Sequence, residues 1–232
     1  MRRGWIAGAL VVTGALVILS TAFANAQGDD TPRGTDPLSA DEVQAARDTA
    51  LADEGASTES LGANGLPERV VLMVERHEEA KTQDGAERRR ADVYEYSYPD
   101  NTLTLSVIDL ESGQVDDTNS SQGTQLPLVQ VEADRAVEVL FADQAFADRL
   151  ASEFEVASGR ALGDPSADLQ IEPITFRADS MPVVAQGNAA ACGVDRCAQF
   201  LIQTTDHVLI NLFPLVNLSR GELIATDSVF QG

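Results

Sequence analysis

The sequence has little of what builds metal sites and nucleic-acid surfaces. Its 232 residues include 2 histidines, 2 cysteines and, at Lys81, one lysine. The 16 basic residues are outnumbered by 37 acidic ones, which gives a formal charge of −21. Such a field repels phosphate backbones and acidic lipid headgroups, so neither nucleic acid nor a bare membrane surface is an expected partner. Because 44% of the residues are hydrophobic, the chain can nevertheless bury a core and fold.

Motifs of known catalysts are missing as well. The sequence has no G-x-S-x-G, no S-x-x-K and no glycine-rich phosphate loop. His77 and His207 each stand beside carboxylates, which is typical of solvated strand ends; acid–base chemistry is the alternative. We therefore predict a protein that is not an enzyme and has no cofactor or metal. The other hypothesis is an enzyme whose catalytic cluster is assembled only in three dimensions.

The N-terminus has the layout of an export signal. Two arginines precede an apolar run over residues 4–19, and small residues lead to a cleavage pattern before Gln27. We predict a signal peptide over residues 1–26 and a flexible spacer over residues 27–37. The folded part would then be secreted, periplasmic or anchored at the outer face of the membrane. An uncleaved N-terminal anchor is the one route to membrane attachment that the sequence offers.

The two cysteines, Cys192 and Cys197, are separated by four residues. In an oxidising compartment this spacing favours a disulfide that orders a short loop. A metal site or a redox pair is the alternative, and each would need further ligands or a C-x-x-C spacing.

Residues 38–126 predict a first helix-plus-sheet unit. Ser39 and Glu42 have the spacing of a capping box, which predicts a helix start there and an end near Gly55. Apolar or alternating runs predict three antiparallel strands, over residues 69–74 and onward, 90–98 and 103–110.

Residues 127–232 repeat that order. Apolar residues at helical spacing predict a helix over residues 131–159, with Asp143 capping a second segment and Gly159 ending it. Strands are predicted over residues 169–177, 197–205 and 208–216, with a short piece near 222–226. The class is α+β: two units, each a helix on an antiparallel sheet of three to four strands.

Two clusters are candidate contact sites. Tyr94, Tyr96 and Tyr98 share one strand face and could offer a platform to a sugar or peptide; the alternative is packing under a helix with the hydroxyls at the rim. The basic run Arg88, Arg89 and Arg90 could contact an anion or a partner. Its alternative is a charge that protects an edge strand from pairing.

Several strings resemble the small N-terminal domains, called N2 and N3, of copper amine oxidases. The resemblance spans residues 36–177 and is carried by the entry into the first helix, the apolar strand and three shorter strings: residues 36–43, residues 69–75, Glu79-Ala80-Lys81, Ile108-Asp109-Leu110 with Gly113, and Phe146-Ala147-Asp148. Ala80 stands where the family favours proline. The resemblance implies cystatin-like units.

The catalytic domain of that family needs three histidines for copper, and this chain has 2. Its quinone cofactor forms from a tyrosine that follows an asparagine, and none of Tyr94, Tyr96 and Tyr98 does so. The resemblance therefore implies the accessory architecture without the oxidase.

These observations predict a non-catalytic exported protein that acts as an interaction or ligand-binding module in the cell envelope. Its partner would be an exported or envelope protein or a small ligand. The alternatives are an inhibitor or folding assistant of an exported peptidase and an accessory component of an amine oxidase system. The Q-x-V-x-G loop of inhibitory cystatins is absent from the sequence.

Overall fold

The computed structural model describes residues 36–52, 61–78, 88–177 and 187–224. The predicted signal peptide, most of the spacer and the 79–81 string lie outside these residues.

The first sheet follows one helix. The elements are α1 (Ala40–Ala52), β1 (Arg69–Arg76), β2 (Arg90–Ser97), β3 (Thr102–Asp109) and β4 (Gln114–Gln122). The strands pair antiparallel in the order β1-β2-β3-β4. Short polar turns join β2 to β3 and β3 to β4, which explains why sequential strands are neighbours.

Helix α1 begins at the predicted capping box. The Ser39 backbone N–H donates to a Glu42 carboxylate oxygen at 2.7 Å, and the Glu42 N–H donates to the Ser39 hydroxyl at 3.2 Å. The buried side of the helix, Ala46 and Ala50, packs on one face of the sheet.

Strand β4 was not located by the sequence analysis, which placed three strands in the first unit and expected three to four in each sheet. Its sequence is QVDDTNSSQ, and nearly every residue in it is exposed. A strand that buries neither face has no apolar alternation to reveal it. It is held by main-chain pairing with β3 along its length, with one register shift between Val107 and Ile108.

The second unit begins with two helices. The helix predicted over residues 131–159 divides at Asp143 into α2 (Gln130–Ala142) and α3 (Gln144–Ser158). The Asp143 side chain accepts from the Phe146 N–H at 2.8 Å, which confirms the predicted cap. Gly159 ends α3 at φ 74°, a conformation in which a side chain would be strained.

The second sheet follows. A short helix, α4 (Pro165–Asp168), leads to β5 (Leu169–Phe176), and a 3₁₀ turn over Gly187–Ala191 comes before β6 (Cys197–Thr204), β7 (Leu215–Asn217) and β8 (Glu222–Ile224). The strands pair antiparallel in the order β5-β6-β7-β8.

The strand predicted over residues 208–216 is mostly wrong. Only Leu215–Asn217 joins the sheet, and Leu209 makes an isolated bridge to Gln203. Pro214 has no N–H to donate to a ladder, so pairing begins after it.

The fold class is confirmed: the chain is α+β with two four-stranded antiparallel sheets. All described residues belong to one compact unit, Arg33–Gly232. One core cluster contains Tyr96 and Leu103 of the first sheet, Leu140 and Phe154 of the helices, and Phe200 of the second sheet. The predicted boundary between residues 126 and 127 stays a prediction. No helix within the described residues is long and apolar enough to cross a membrane.

Candidate functional site

Tyr94 and Tyr96 of β2, and Tyr98 directly after it, lie on the sheet face opposite α1, as their alternation predicts. Residues directly opposite in an antiparallel ladder share a face. Tyr96 pairs with Val70 and Leu103, and this part of the face is buried under the second unit. Tyr96 is 1% exposed and Tyr98 is 6% exposed. Two of the three tyrosines therefore face the interior. Of the predicted ligand face, Tyr94 is the tyrosine that stays partly exposed.

Tyr94 lies on the half of this face that stays partly open. Its neighbours across the sheet are Met73 on β1 and Leu105 on β3, both partly exposed. The next row carries the carboxylates of Glu75, Asp92 and Asp117 across β1, β2 and β4. We call these six residues the open row: Met73, Glu75, Asp92, Tyr94, Leu105 and Asp117.

Acidic side chains dominate the electrostatics of the open row. The Tyr94 hydroxyl donates to the Glu75 carboxylate at 3.0 Å. Partial burial, followed by this hydrogen bond and the charges of Glu75 and Asp92, raises the pKa of Tyr94 to about 12. The phenol therefore stays protonated at neutral pH. The nearby His77 Nδ1 lies 2.7 Å from an Asp92 carboxylate oxygen.

The disulfide loop lies at the other end of the tyrosine face. Cys192 and Cys197 are bonded, as predicted, and both are buried. The backbone oxygen of Val194 in this loop accepts from the Tyr96 hydroxyl at 3.3 Å. The loop thus connects the second sheet to the first.

Arg196 of this loop is fully buried and forms an ion pair with Glu132 of α2, whose side chain is also fully buried. Its Nε and Nη2 both donate to the carboxylate, and the Nη2 contact is 2.8 Å. The guanidinium also donates to the carbonyl oxygens of Leu126 and Pro127, at 3.0 and 2.9 Å. Burial opposes the charge, but the hydrogen bonds and charge of Glu132 outweigh it and raise the pKa of Arg196.

The Tyr98 hydroxyl completes this pair by donating to Glu132 at 2.6 Å. Burial, followed by the negative charge of Glu132, raises the pKa of Tyr98 far above its usual range. Arg196, Glu132 and Tyr98 thus tie together the disulfide loop, α2 and the first sheet, and each of them is committed to a structural contact.

Asp195 holds a second polar cluster. Its carboxylate accepts hydrogen bonds from the Asn101 amide at 3.2 Å and from the Asn217 amide at 2.8 Å, and it forms an ion pair with the Arg220 Nε at 2.9 Å. The Ser219 hydroxyl donates to the Asn101 side-chain oxygen and accepts from the Arg196 N–H. These bonds join the β2–β3 turn, the disulfide loop and the β7–β8 turn.

A cleft of about 420 Å³ opens beside this cluster. Its lining comes from the segment before β1, the β2–β3 turn, the disulfide loop and the β7–β8 turn. The polar members are Asn64, Glu68, Tyr98, Asn101, Asp195, Ser219 and Arg220. Asn64 is buried and donates to the Leu218 carbonyl at 2.9 Å. The walls are therefore fixed by internal hydrogen bonds.

The basic run does not form one surface. Arg89 is 8% exposed, pairs with Glu42 and donates to the carbonyl oxygens of Asp36 and Pro37, both at 2.8 Å. Arg90 lies 3.3 Å from an Asp116 oxygen. Arg88 is exposed. Two of the three arginines thus act within the protein, and the predicted partner contact remains a prediction.

Comparison with known proteins gives little. No family model matches the chain, and no curated protein matches it. Among solved structures, a copper-containing benzylamine oxidase from Hansenula polymorpha is similar at 11% identity and a TM-score of 0.48. The likeness covers 83% of this chain and 29% of that chain. The resemblance to the N2 and N3 domains stays a prediction.

Sequence reasoning missed the residues that form the Arg196–Glu132 pair and the Asp195 cluster beside the cleft. Arg196 and Asp195 stand between two cysteines, and Glu132 stands on a helix, positions at which charged residues are ordinarily solvated. The one signal was the short disulfide loop itself. It predicted local order but not the contacts that Asp195 and Arg196 make. Among the described residues, no group of three or more His, Cys, Asp or Glu side chains could hold a metal ion.

Proposed function

We propose that this chain is a non-catalytic, exported interaction module that binds a basic partner protein on the open row. The observation that carries the proposal is the set of three carboxylates beside a partly exposed tyrosine, on the half of the sheet face that stays partly open. Tyrosine with an apolar rim is a common anchor of protein interfaces, since it buries area and keeps a polar tip in water.

Charge supports a basic partner. The chain has a formal charge of −21, so its field attracts cationic surfaces over a distance and speeds their association. At contact, the open row offers Glu75 and Asp117, both exposed, for ion pairs. The ring of Tyr94 offers its face to a Lys or Arg side chain.

The contacts of the buried ionisable groups support a binding role. A catalytic acid or base must exchange its proton near neutral pH. The Tyr98 hydroxyl instead has a strongly raised pKa, and the Asp195 carboxylate accepts two hydrogen bonds and pairs with Arg220. Such groups hold geometry rather than move protons.

Charge reversal tests the proposal. The tagged chain, its Asp117→Lys variant and its Glu155→Lys variant are purified from the producing cells, and the co-purifying proteins are quantified by mass spectrometry. Glu155 is an exposed residue of α3, away from the open row, so it controls for net charge. We expect a basic exported protein that Asp117→Lys reduces at least about tenfold and Glu155→Lys does not.

Equal recovery with both variants, or an acidic partner, contradicts the proposal. The identity of the captured protein also distinguishes the alternatives: a peptidase supports the inhibitor or folding-assistant role, and an amine oxidase supports the accessory role.

A further inference from the structure

The cleft beside the disulfide loop presents groups of opposite charge. Glu68 and Arg220 both line it, one before β1 and the other in the β7–β8 turn. We infer that this cleft binds a small zwitterion, with Glu68 receiving an ammonium group and Arg220 a carboxylate. The ligand class is a free amino acid or a short peptide. This site is separate from the open row, so it stands or falls independently of the proposed function.

The first support is that the other polar groups of the cleft already have partners. Asn101 donates to Asp195 and accepts from Tyr96 and Ser219. The Asp195 carboxylate accepts two hydrogen bonds and forms an ion pair with Arg220. A ligand therefore meets a wall that is held in place before binding, which lowers the entropy lost on binding.

The second support is that Glu68 and Arg220 retain bonding capacity. Within the described part of the chain, the Glu68 carboxylate makes no hydrogen bond. The Arg220 side chain is 54% exposed; its Nε forms an ion pair with Asp195 at 2.9 Å, and its Nη1 lies 3.9 Å from Glu222, beyond hydrogen-bond distance. Its remaining N–H groups can grip a carboxylate, for which the planar guanidinium is suited.

The third support is size and position. A volume of about 420 Å³ is in the range of small-molecule sites, and such sites favour junctions between packed units. The polar part of the lining consists of amide, hydroxyl and charged groups, which match a polar ligand with two charges.

The binding test uses defined probes. Isothermal titration compares alanine and alanylalanine with N-acetylated alanylalanine and with the C-terminal amide of alanylalanine. We expect alanine or alanylalanine to bind, and each modified dipeptide to bind at least about tenfold more weakly, because each lacks one charge pair.

Two variants assign the charges. Glu68→Gln should weaken alanylalanine and its amide but leave the N-acetylated form unchanged, whereas Arg220→Gln should weaken alanylalanine and the N-acetylated form but leave the amide unchanged. Arg160→Gln is the matched control, because Arg160 is 53% exposed and also pairs with a carboxylate, that of Asp168. Arg220→Gln could disturb the Asp195 cluster, but Glu68→Gln leaves that cluster intact. The Glu68→Gln result therefore decides the test by itself.

The inference is overturned if neither alanine nor alanylalanine binds at millimolar concentration, or if Glu68→Gln binds all probes as the parent does. These results would not affect the open-row proposal, because that proposal is tested by the proteins that co-purify with the parent chain and with its Asp117→Lys variant.

Discussion

Arg196 and Glu132 form a bidentate ion pair, and both side chains are wholly excluded from solvent. The pair joins the disulfide loop to α2. Removing one member of a buried pair leaves the other charge uncompensated, which is far more costly than losing a surface pair.

We predict that Glu132→Gln lowers the free energy of unfolding by about 3–5 kcal/mol, since Arg196 stays buried without its counter-charge. Tyr98→Phe removes only the hydroxyl that donates to Glu132, and should cost about 1–2 kcal/mol. Urea unfolding measures the change in the free energy of unfolding for the two variants and for Glu155→Gln, an exposed control. A loss for Glu132→Gln as small as that for Glu155→Gln would contradict the buried pair.

The disulfide should resist reduction in the folded protein. Cys192 is 1% exposed and Cys197 is 0% exposed, so a reducing agent has no path to the sulfurs without unfolding. Thiol titration in dithiothreitol should detect almost no free thiol under native conditions and two thiols in denaturant. The Cys192→Ser, Cys197→Ser double variant should lose about 2 kcal/mol by chain entropy. Rapid native reduction would show that the loop opens locally.

Gly221 should be needed for the packing of the cleft, and Gly113 is its matched control. Their φ angles are +67° and +65°, so alanine is strained at both by about 1 kcal/mol. A Cβ at Gly221 would lie 3.1 Å from the Asn64 Cα, whereas one at Gly113 meets nothing within 4 Å. We expect Gly221→Ala to cost about 1–3 kcal/mol more than Gly113→Ala in urea unfolding. Equal losses would contradict the close approach.

Acid should weaken the first helix through Glu42. The hydrogen bond from Arg89 lowers the pKa of Glu42 from its ordinary 4.5 to about 2. A carboxyl whose pKa is lower in the folded state stabilises the protein above pH 4.5, and this contribution is lost as the pH falls from 4.5 toward 2. Urea unfolding between pH 6 and pH 2 should therefore show a smaller acid loss for Glu42→Gln than for the parent. Parallel pH curves would rule out this linkage.

The elements with local signals were predictable from the sequence. The capping box at Ser39 and Glu42 needs only residues three apart, and so does the break at Asp143. The tyrosine alternation gave the shared face for the same reason. Strand β4 had no such signal, because it is polar on both sides and is held by its neighbour alone.

The candidate site was less predictable because it depends on packing between distant segments. Alternation places Tyr94 and Tyr96 on one face but cannot say that packing buries Tyr96 fully and Tyr94 only in part. The Arg196–Glu132 pair joins residues 64 apart in sequence. A short disulfide predicts an ordered loop, and only the folded chain shows that its arginine points into the core.

Site-specific photo-crosslinking tests directly whether a partner protein binds the open row. Asn119 and Thr118 are adjacent and exposed on β4, but Asn119 pairs with Leu105 on the open-row face, while Thr118 pairs with Ser106 on the α1 face. A photoreactive residue is placed at one position or the other in the exported protein, and crosslinks are formed in the producing cells. We expect a crosslinked partner from position 119, lost on adding Asp117→Lys, and little crosslinking from position 118. Equal crosslinks from both positions, or none from 119, would contradict it.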